Sequence, residues 1–173
     1  YPVGDLTKNA RQSILANTLT QKPDWAGESM NKILNYLRNN FGRSLTIFPN
    51  GKEIIPLPFK VEEPLVRKEL EIGMLEMINS ERKKSGLPEL YFDEELAEVA
   101  RTHSKDMFQR GYFSHYSPEG KSPFDRIRKN GIQFSIAGEN LALAQNLSLA
   151  HQGLMESPVH RANIEHQSYG KVG

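Results

Sequence analysis

GYFSHYSPEGKSPFDRIRKNGIQFSIAGENLALAQ, residues 111 to 145, followed by ESPVHRANI at 156 to 164, decides how this chain is read. His115 and His160 both sit in turn-rich contexts, and between them Glu139 lies in a small-residue setting, AGEN. Imidazoles and long charged side chains set among Gly, Ser and Pro fall on loops or element ends, where a cleft can be built. Imidazole and carboxylate together suit metal ligation or proton transfer.

On the N-terminal side of this stretch the helical signals are clear. Asp93 is placed to cap a helix whose apolar face is Leu96, Val99, Ala100, His103 and Met107, with Gly111 at its end. Before it, Pro64 fits the first position of a helix with the stripe Val66, Leu70, Met74, Met77 and Ile78. Gly86 ends that helix and Pro88 prevents its resumption. Within and after the quoted stretch, the spacing predicts a short helix from about Ser122 to Lys129 and a strand near Gln133 to Ile136. It also predicts a helix capped by Ser148 that runs to Ser157-Pro158.

Residues 1 to 63 read as a separate small unit. Asp24 is positioned to cap a helix carrying Met30, Ile33, Leu34, Leu37 and Phe41 on one face. SLTIF-PNG-KEIIPL then reads as a hairpin turned at Asn50-Gly51, with Pro56 and Pro58 ending the strand and marking a linker. The remainder, 64 to 173, is helix-dominated.

The chain has 173 residues, enough for one sizeable core, or one domain with a small appendage. Its formal net charge of +1 offers no global argument for nucleic acid. Residues 101 to 130 carry a local excess of Lys and Arg, which reads first as a solvated face and otherwise as a weak anion-binding surface. The absence of cysteine excludes disulfides, thiolate metal sites and Cys nucleophiles. No apolar run approaches the roughly 18 residues needed to span a bilayer. The sequence starts at Tyr1 without an initiator Met, which is compatible with a targeting segment or anchor removed upstream.

Other histidines have quieter readings. His103 lies on an apolar helical stripe, as a core histidine bonded to backbone would; His151 and His166 have no supporting neighbours and read as structural or exposed. There is no HExxH and no GxSxG. Gly120-Lys121-Ser122 ends like a P-loop, but His115 stands at the first glycine position and Pro123 follows at once, so nucleotide binding is rejected. Asn146-Leu147-Ser148 is a formal glycosylation sequon.

Four runs in order, MLEMINSERKKSGLPEL, ARTHSKDMFQRGYFSHYSPEGKSPFDRI, AGENLA and LMESPVHRANI, resemble the CAP superfamily of cysteine-rich secretory, antigen 5 and pathogenesis-related proteins. The match runs from about Leu65 to Ile164 and is most similar to the cysteine-free bacterial, SCP-like branch. The N-terminal unit resembles an extra domain that precedes CAP domains in some Gram-positive bacteria. The resemblance implies an α+β fold, an α-β-α sandwich over 64–173 preceded by the small α+β unit. It also implies a cleft lined by two His and two Glu, some members binding zinc or a similar cation through the histidines. Carried over, the histidines are His115 and His160 and the first glutamate is Glu139. The second glutamate's place falls at Ser157, with Glu156 one residue away and so about 100° off on a helix. Members continue past HRANI into strands that complete the sheet, whereas this sequence stops at Gly173, so truncated C-terminal strands and an unpaired edge are expected.

Two function classes follow from the resemblance. One is a secreted or cell-surface binding module for a cation, a lipid, or an envelope or protein ligand, with no nucleic-acid partner and no transmembrane segment in this chain. The other is a hydrolase of peptide or wall substrates. Its nucleophile would be water polarised by a metal on His115 and His160, with Glu139 as base. The missing second carboxylate favours the binding module; a third reading is that the pocket is only structural, with Glu139 and the histidines holding loops together.

Overall fold

A computed structural model describes Asn35, Tyr36, Asn39 and residues 44–173. Apart from those three positions, the expected Asp24-capped helix lies outside the described residues. Among the described residues there are helices α1 (Lys68–Lys84), α2 (Glu94–Arg110), α3 (Pro123–Lys129), α4 (Leu147–Glu156) and α5 (Pro158–Ile164). The strands are β1 (Ser44–Ile47), β2 (Ile55–Pro56), β3 (Tyr91–Phe92), β4 (Tyr112–Phe113), β5 (Leu141–Ala144) and β6 (Lys171–Val172). The class is α+β, as expected.

α2 forms as its residues dictate. Asp93 Oδ1 accepts from the amides of Glu95 and Leu96 at 3.1 Å, satisfying two of the free donors at the helix start. Gly111 closes the helix in the left-handed region, φ 74°, where a side chain would be strained and would also press on the Phe59 carbonyl. α1 ends in a Schellman arrangement, with Gly86 at φ 71° and Leu87 N donating to Arg82 O at 2.9 Å. Its start differs from the expectation. The helix begins after Arg67, not at Pro64, and Leu65 and Val66 are exposed. No Ser, Thr, Asp or Asn stands near Pro64 to cap a helix there, and the Val61 amide is instead bonded to Phe108 O at 3.0 Å.

Two arginines lock the helices. Arg101, 7% exposed, makes a two-pronged contact from α2 to Glu71 on α1, at 2.6 and 2.8 Å, and a 2.6 Å bond to Glu94. Hydrogen bonds from Arg101 and Lys68 draw Glu94 down to about 2. Arg82 is fully buried and donates to the carbonyls of Pro88, Ile164, His166 and Tyr169 at 2.8 to 3.2 Å. It thereby fixes the path of the chain after α5 against α1.

α3 carries the expected start, a capping box between Ser122 and Asp125. Two other expectations are corrected. Residues 133–136 are irregular, with a bend at 135–136, not a strand: the Phe134 ring packs tilted near Phe124, and among the described residues no strand pairs with this segment. α4 is capped by Asn146, whose Oδ1 accepts from Leu149 N at 2.9 Å, and Ser148 lies inside the helix.

The hairpin expectation is also corrected. The turn exists, with Asn50 at φ 67° and Gly51 N bonded to Phe48 O at 2.8 Å, but its two flanks do not pair with each other. β1 pairs antiparallel with β5, Leu45 opposite Leu143 and Ile47 opposite Leu141, so two rows of alternating apolar residues face one core. β2 pairs antiparallel with β4, and β3 pairs parallel with β6. The KEIIPL flank offers β1 a poorer partner, because Pro56 lacks an amide and β2 spans two residues. Leu45, Ile47, Leu57 and Phe59 enter the same buried cluster as Met107, Tyr112, Phe113, Leu141 and Leu143.

Strands before Glu63 thus belong to ladders whose other strands follow it. A division into units 1–63 and 64–173 is a statement about independent folding, and it has a direct test. Burial of each of those four apolar side chains is worth about 1.5–3 kcal/mol, and their sum is of the order of a domain's whole stability, about 5–15 kcal/mol. A chain of residues 64–173 alone should therefore lack a cooperative thermal transition by circular dichroism. A sharp transition close to that of the full chain would establish the division at 63.

Candidate functional site

The site is assembled where β4 ends, where β5 begins and where α5 starts. Ser114 and His115 follow β4 and are both fully buried. The Ser114 hydroxyl donates to Glu53 O at 2.6 Å, holding the turn before β2 against this segment. Glu139 lies two positions before the start of β5. Its Oε1 lies 2.9 Å from His115 Nδ1, and its Oε2 accepts from Arg126 Nη2 at 2.7 Å. Arg126, on α3, also donates to the carbonyls of His115 at 2.9 Å and Lys121 at 3.2 Å. One guanidinium therefore positions both the carboxylate and the backbone of the histidine it faces.

His160 is in the first turn of α5 and is fully buried. Its Nδ1 lies 2.8 Å from Ser157 Oγ. Asn140 Nδ2 donates to His160 O at 3.1 Å, Asn163 Nδ2 donates to Asn140 Oδ1 at 2.9 Å, and the Tyr169 hydroxyl donates to Asn163 Oδ1 at 3.0 Å. This chain ties the AGEN segment to the HRANI helix.

The fold brings His115 and His160 onto one point. Both Nε2 atoms address the carbonyl oxygen of Ile47, at 3.1 Å from His115 and 2.7 Å from His160. A carbonyl oxygen accepts through two lone pairs, so each Nε2 carries hydrogen and donates. At His160 the Ser157 hydroxyl then donates to Nδ1. At His115 the Nδ1 partner is the Glu139 carboxylate, at 2.9 Å.

Burial would raise the Glu139 carboxyl, but the His115 hydrogen bond and the charge and hydrogen bond of Arg126 outweigh it and hold the group below the usual glutamate range. Burial lowers His160, and the hydrogen bond to Ile47 O offsets part of this. Burial likewise lowers His103.

Ser157 reaches His160, whereas Glu156 is exposed and its Oε1 accepts from Gln152 at 2.6 Å, away from the cluster. His103 is buried with Nε2 2.8 Å from Ser114 O, a core histidine bonded to backbone directly behind the site. His151 is buried in α4, and His166 stacks on Tyr169. A cavity of about 690 Å³ adjoins the site; its wall includes His103, Glu139 and Asn140 but neither His115 nor His160.

A family cation would have to sit where the two Nε2 atoms converge. That point is held by the Ile47 carbonyl, and Glu139 is turned to Nδ1 and Arg126. Among the described residues no group of three His, Cys, Asp or Glu side chains could hold a metal. In this arrangement the residues do not fit one. Sequence reasoning assigned no role to Arg126, Asn140 or Asn163. Arg126 is one of several basic residues on a short helix, and its separate role rests on burial that composition does not reveal.

Comparisons with known proteins agree on one family. The sequence model of the cysteine-rich secretory protein family (CAP) matches residues 75–173. The chain is 40% identical over 101 residues to "Uncharacterized protein YkwD" of Bacillus subtilis, covering 58% of this chain and 39% of that protein. It is 37% identical over 101 residues to "Uncharacterized membrane protein YlbC" of the same organism, covering 58% of this chain and 29% of that protein. It therefore spans well under half the length of these relatives. Among solved structures, an extracellular protein containing an SCP domain from Bacillus anthracis is similar, with a TM-score of 0.55 and 34% identity, over 64% of this chain and 40% of that one.

The pKa shifts give a signed prediction. A carboxyl held low in the fold stabilises above its unfolded value and loses that contribution as pH falls; a buried histidine held low does the same from its own higher value. Thermal midpoints should decline as pH drops through about 6.5, from His103 and His160, and again below about 4.3, from Glu139 among other carboxylates. Glu139→Gln should cost about 3 kcal/mol at pH 7, because it strips the carboxylate from the largely buried Arg126, and it should shallow the lower decline. Denaturant unfolding across this pH range checks both, and a Gln variant as stable as the parent at pH 7 would contradict the account.

Proposed function

Since the chain belongs to the cysteine-rich secretory protein (CAP) family, we propose that it works outside the membrane, at the cell surface or released from it, as a binding module of the envelope. The cleft formed by His115, His160 and Glu139 recognises an oxygen-bearing group on its ligand. One observation carries this: two buried imidazole N–H groups converge on a single oxygen, that of Ile47. Arg126 and Glu139 hold one donor in place, and Ser157 holds the other. Preset donors of this kind select an acceptor. The extracellular SCP protein and the membrane protein among the relatives support the location. Among the described residues no helix is long and apolar enough to cross a membrane.

A cation such as zinc at the same point is the second reading, favoured by the convergence of the two Nε2 atoms. It requires the Ile47 carbonyl to withdraw and both nitrogens to give up hydrogen; zinc would then be held by the imidazoles of His115 and His160 and would supply Lewis acidity. Hydrolysis with Glu139 as base is less well supported. Both carboxylate oxygens are engaged by cationic or N–H donors, and a carboxyl held low is a weak base.

Co-sedimentation with purified Bacillus subtilis cell walls tests the binding reading. The parent protein should be retained, His160→Ala should lose about tenfold in affinity, the equivalent of about 1.4 kcal/mol, and His166→Ala should bind as the parent does. Equal retention of parent and His160→Ala, or no retention of the parent, contradicts it.

A further inference from the structure

We propose that the segment from Ser44 to Gly51 is an intramolecular occupant of the cleft, and that the ligand class the cleft accepts is an extended peptide strand, admitted when this segment leaves. The inference rests on the binding reading above and names both its ligand and its control.

The occupant is built as a ligand would be. β1 adds to β5 as an antiparallel strand, registered from Ser44 opposite Ala144 to Ile47 opposite Leu141. Strand addition at a sheet edge supplies affinity through main-chain bonds and specificity through alternate side chains. Here the alternate side chains are Leu45 and Ile47, each 5% exposed, and the carbonyl presented to the two histidines belongs to Ile47 itself. Gly153 on α4 lies against the Ser44 side chain, and a Cβ there would press on its hydroxyl. Beyond the carbonyl, Phe48 stacks over His160 with ring centroids 6.3 Å apart while staying 67% exposed, so it covers the site from outside. The segment then turns at Asn50-Gly51 and is pinned by the Ser114 bond to Glu53 O. The histidines' bonds to Ile47 span 68 and 113 positions, so this closure is tertiary and separable from the local structure that holds either ring.

Energetics select the ligand class. Displacing β1 uncovers Leu45, Ile47 and two imidazole N–H groups, an unfavourable opening for a ligand that replaces none of these contacts. An incoming extended peptide with apolar residues at alternate positions remakes all of them, so strand-for-strand exchange leaves little net loss. Affinity measured on the intact chain is lowered by the fraction of molecules that are open, and any change that loosens β1 raises it.

Histidine labelling by diethylpyrocarbonate, mapped by peptide mass spectrometry on the full chain, tests this without any wall ligand. In the parent, His115 and His160 should react at least about tenfold more slowly than the partly exposed His166, because they are reached only through local opening. In a Leu45→Asp/Ile47→Asp variant both should approach the His166 rate while His103, whose Nε2 is bonded to Ser114 O and not to β1, stays slow. An excess of the acetylated peptide SLTIFPNG should restore slow labelling of His115 and His160. Should the double variant also expose His103, Leu45→Ala provides the milder opening, with a smaller rise at the same two histidines. Both histidines staying slow in both variants would overturn the occlusion. Exposed histidines that the peptide does not protect would overturn the peptide assignment. Failure of wall binding with this labelling pattern intact would instead remove the envelope reading alone.

Discussion

The carbonyl oxygen of Ile47 holds together three parts of the chain that sequence places far apart. His115 and His160 have no exposure at all, so their ring nitrogens must find partners inside the protein or leave a buried donor unsatisfied, at about 1–3 kcal/mol each. One oxygen with two lone pairs satisfies both Nε2 atoms. To be there, β1 must lie on β5, the His115 turn must follow β4 in its observed direction, and α5 must present its first turn inward. Each condition is met by separate contacts, and each would lose its purpose without the others.

Around that oxygen the supporting bonds are arranged by rigidity. Arg126 joins the Glu139 carboxylate to the His115 backbone, and Asn140 and Asn163 link the start of β5 to α5. Farther out, Arg82 binds four carbonyls and fixes the chain that follows α5 against α1. The side chains nearest the convergence point are therefore held by others that never touch it. This arrangement suits recognition of a ligand whose geometry is already set, and it leaves Glu139 little freedom to move a proton.

Features decided by neighbouring residues were legible in the sequence. Asp93 and Gly111 bound α2, Ser122 caps α3 and Gly86 ends α1, because a cap or a positive φ is a local demand met by few residue types. The trio His115, Glu139 and His160 was legible through its order in a family pattern, and Ser157 was found where the second glutamate was missing. What escaped depends on choosing among distant partners. LTI in β1 alternates as any half-buried strand does, and nothing within it says that LALA, not IIP, lies opposite. Asn146 and Ser148 are both good caps, and packing of Leu147 and His151 into the core chooses Asn146. Arg126 looked like one charge on a basic face, since burial is a property of the finished fold. The pairing of the N-terminal strands is hidden for the same reason: their partners lie beyond Glu63.

The central claim, that Ile47 and not a cation or water joins the two histidines, is open to nitrogen-15 NMR of the imidazole rings in the full chain at neutral pH. The account predicts that Nε2 is protonated in both His115 and His160, that His160 Nδ1 is not, and that coupling through the hydrogen bonds links both Nε2 atoms to the Ile47 carbonyl carbon. A bare Nε2 on either ring, or the absence of coupling to Ile47, would contradict it.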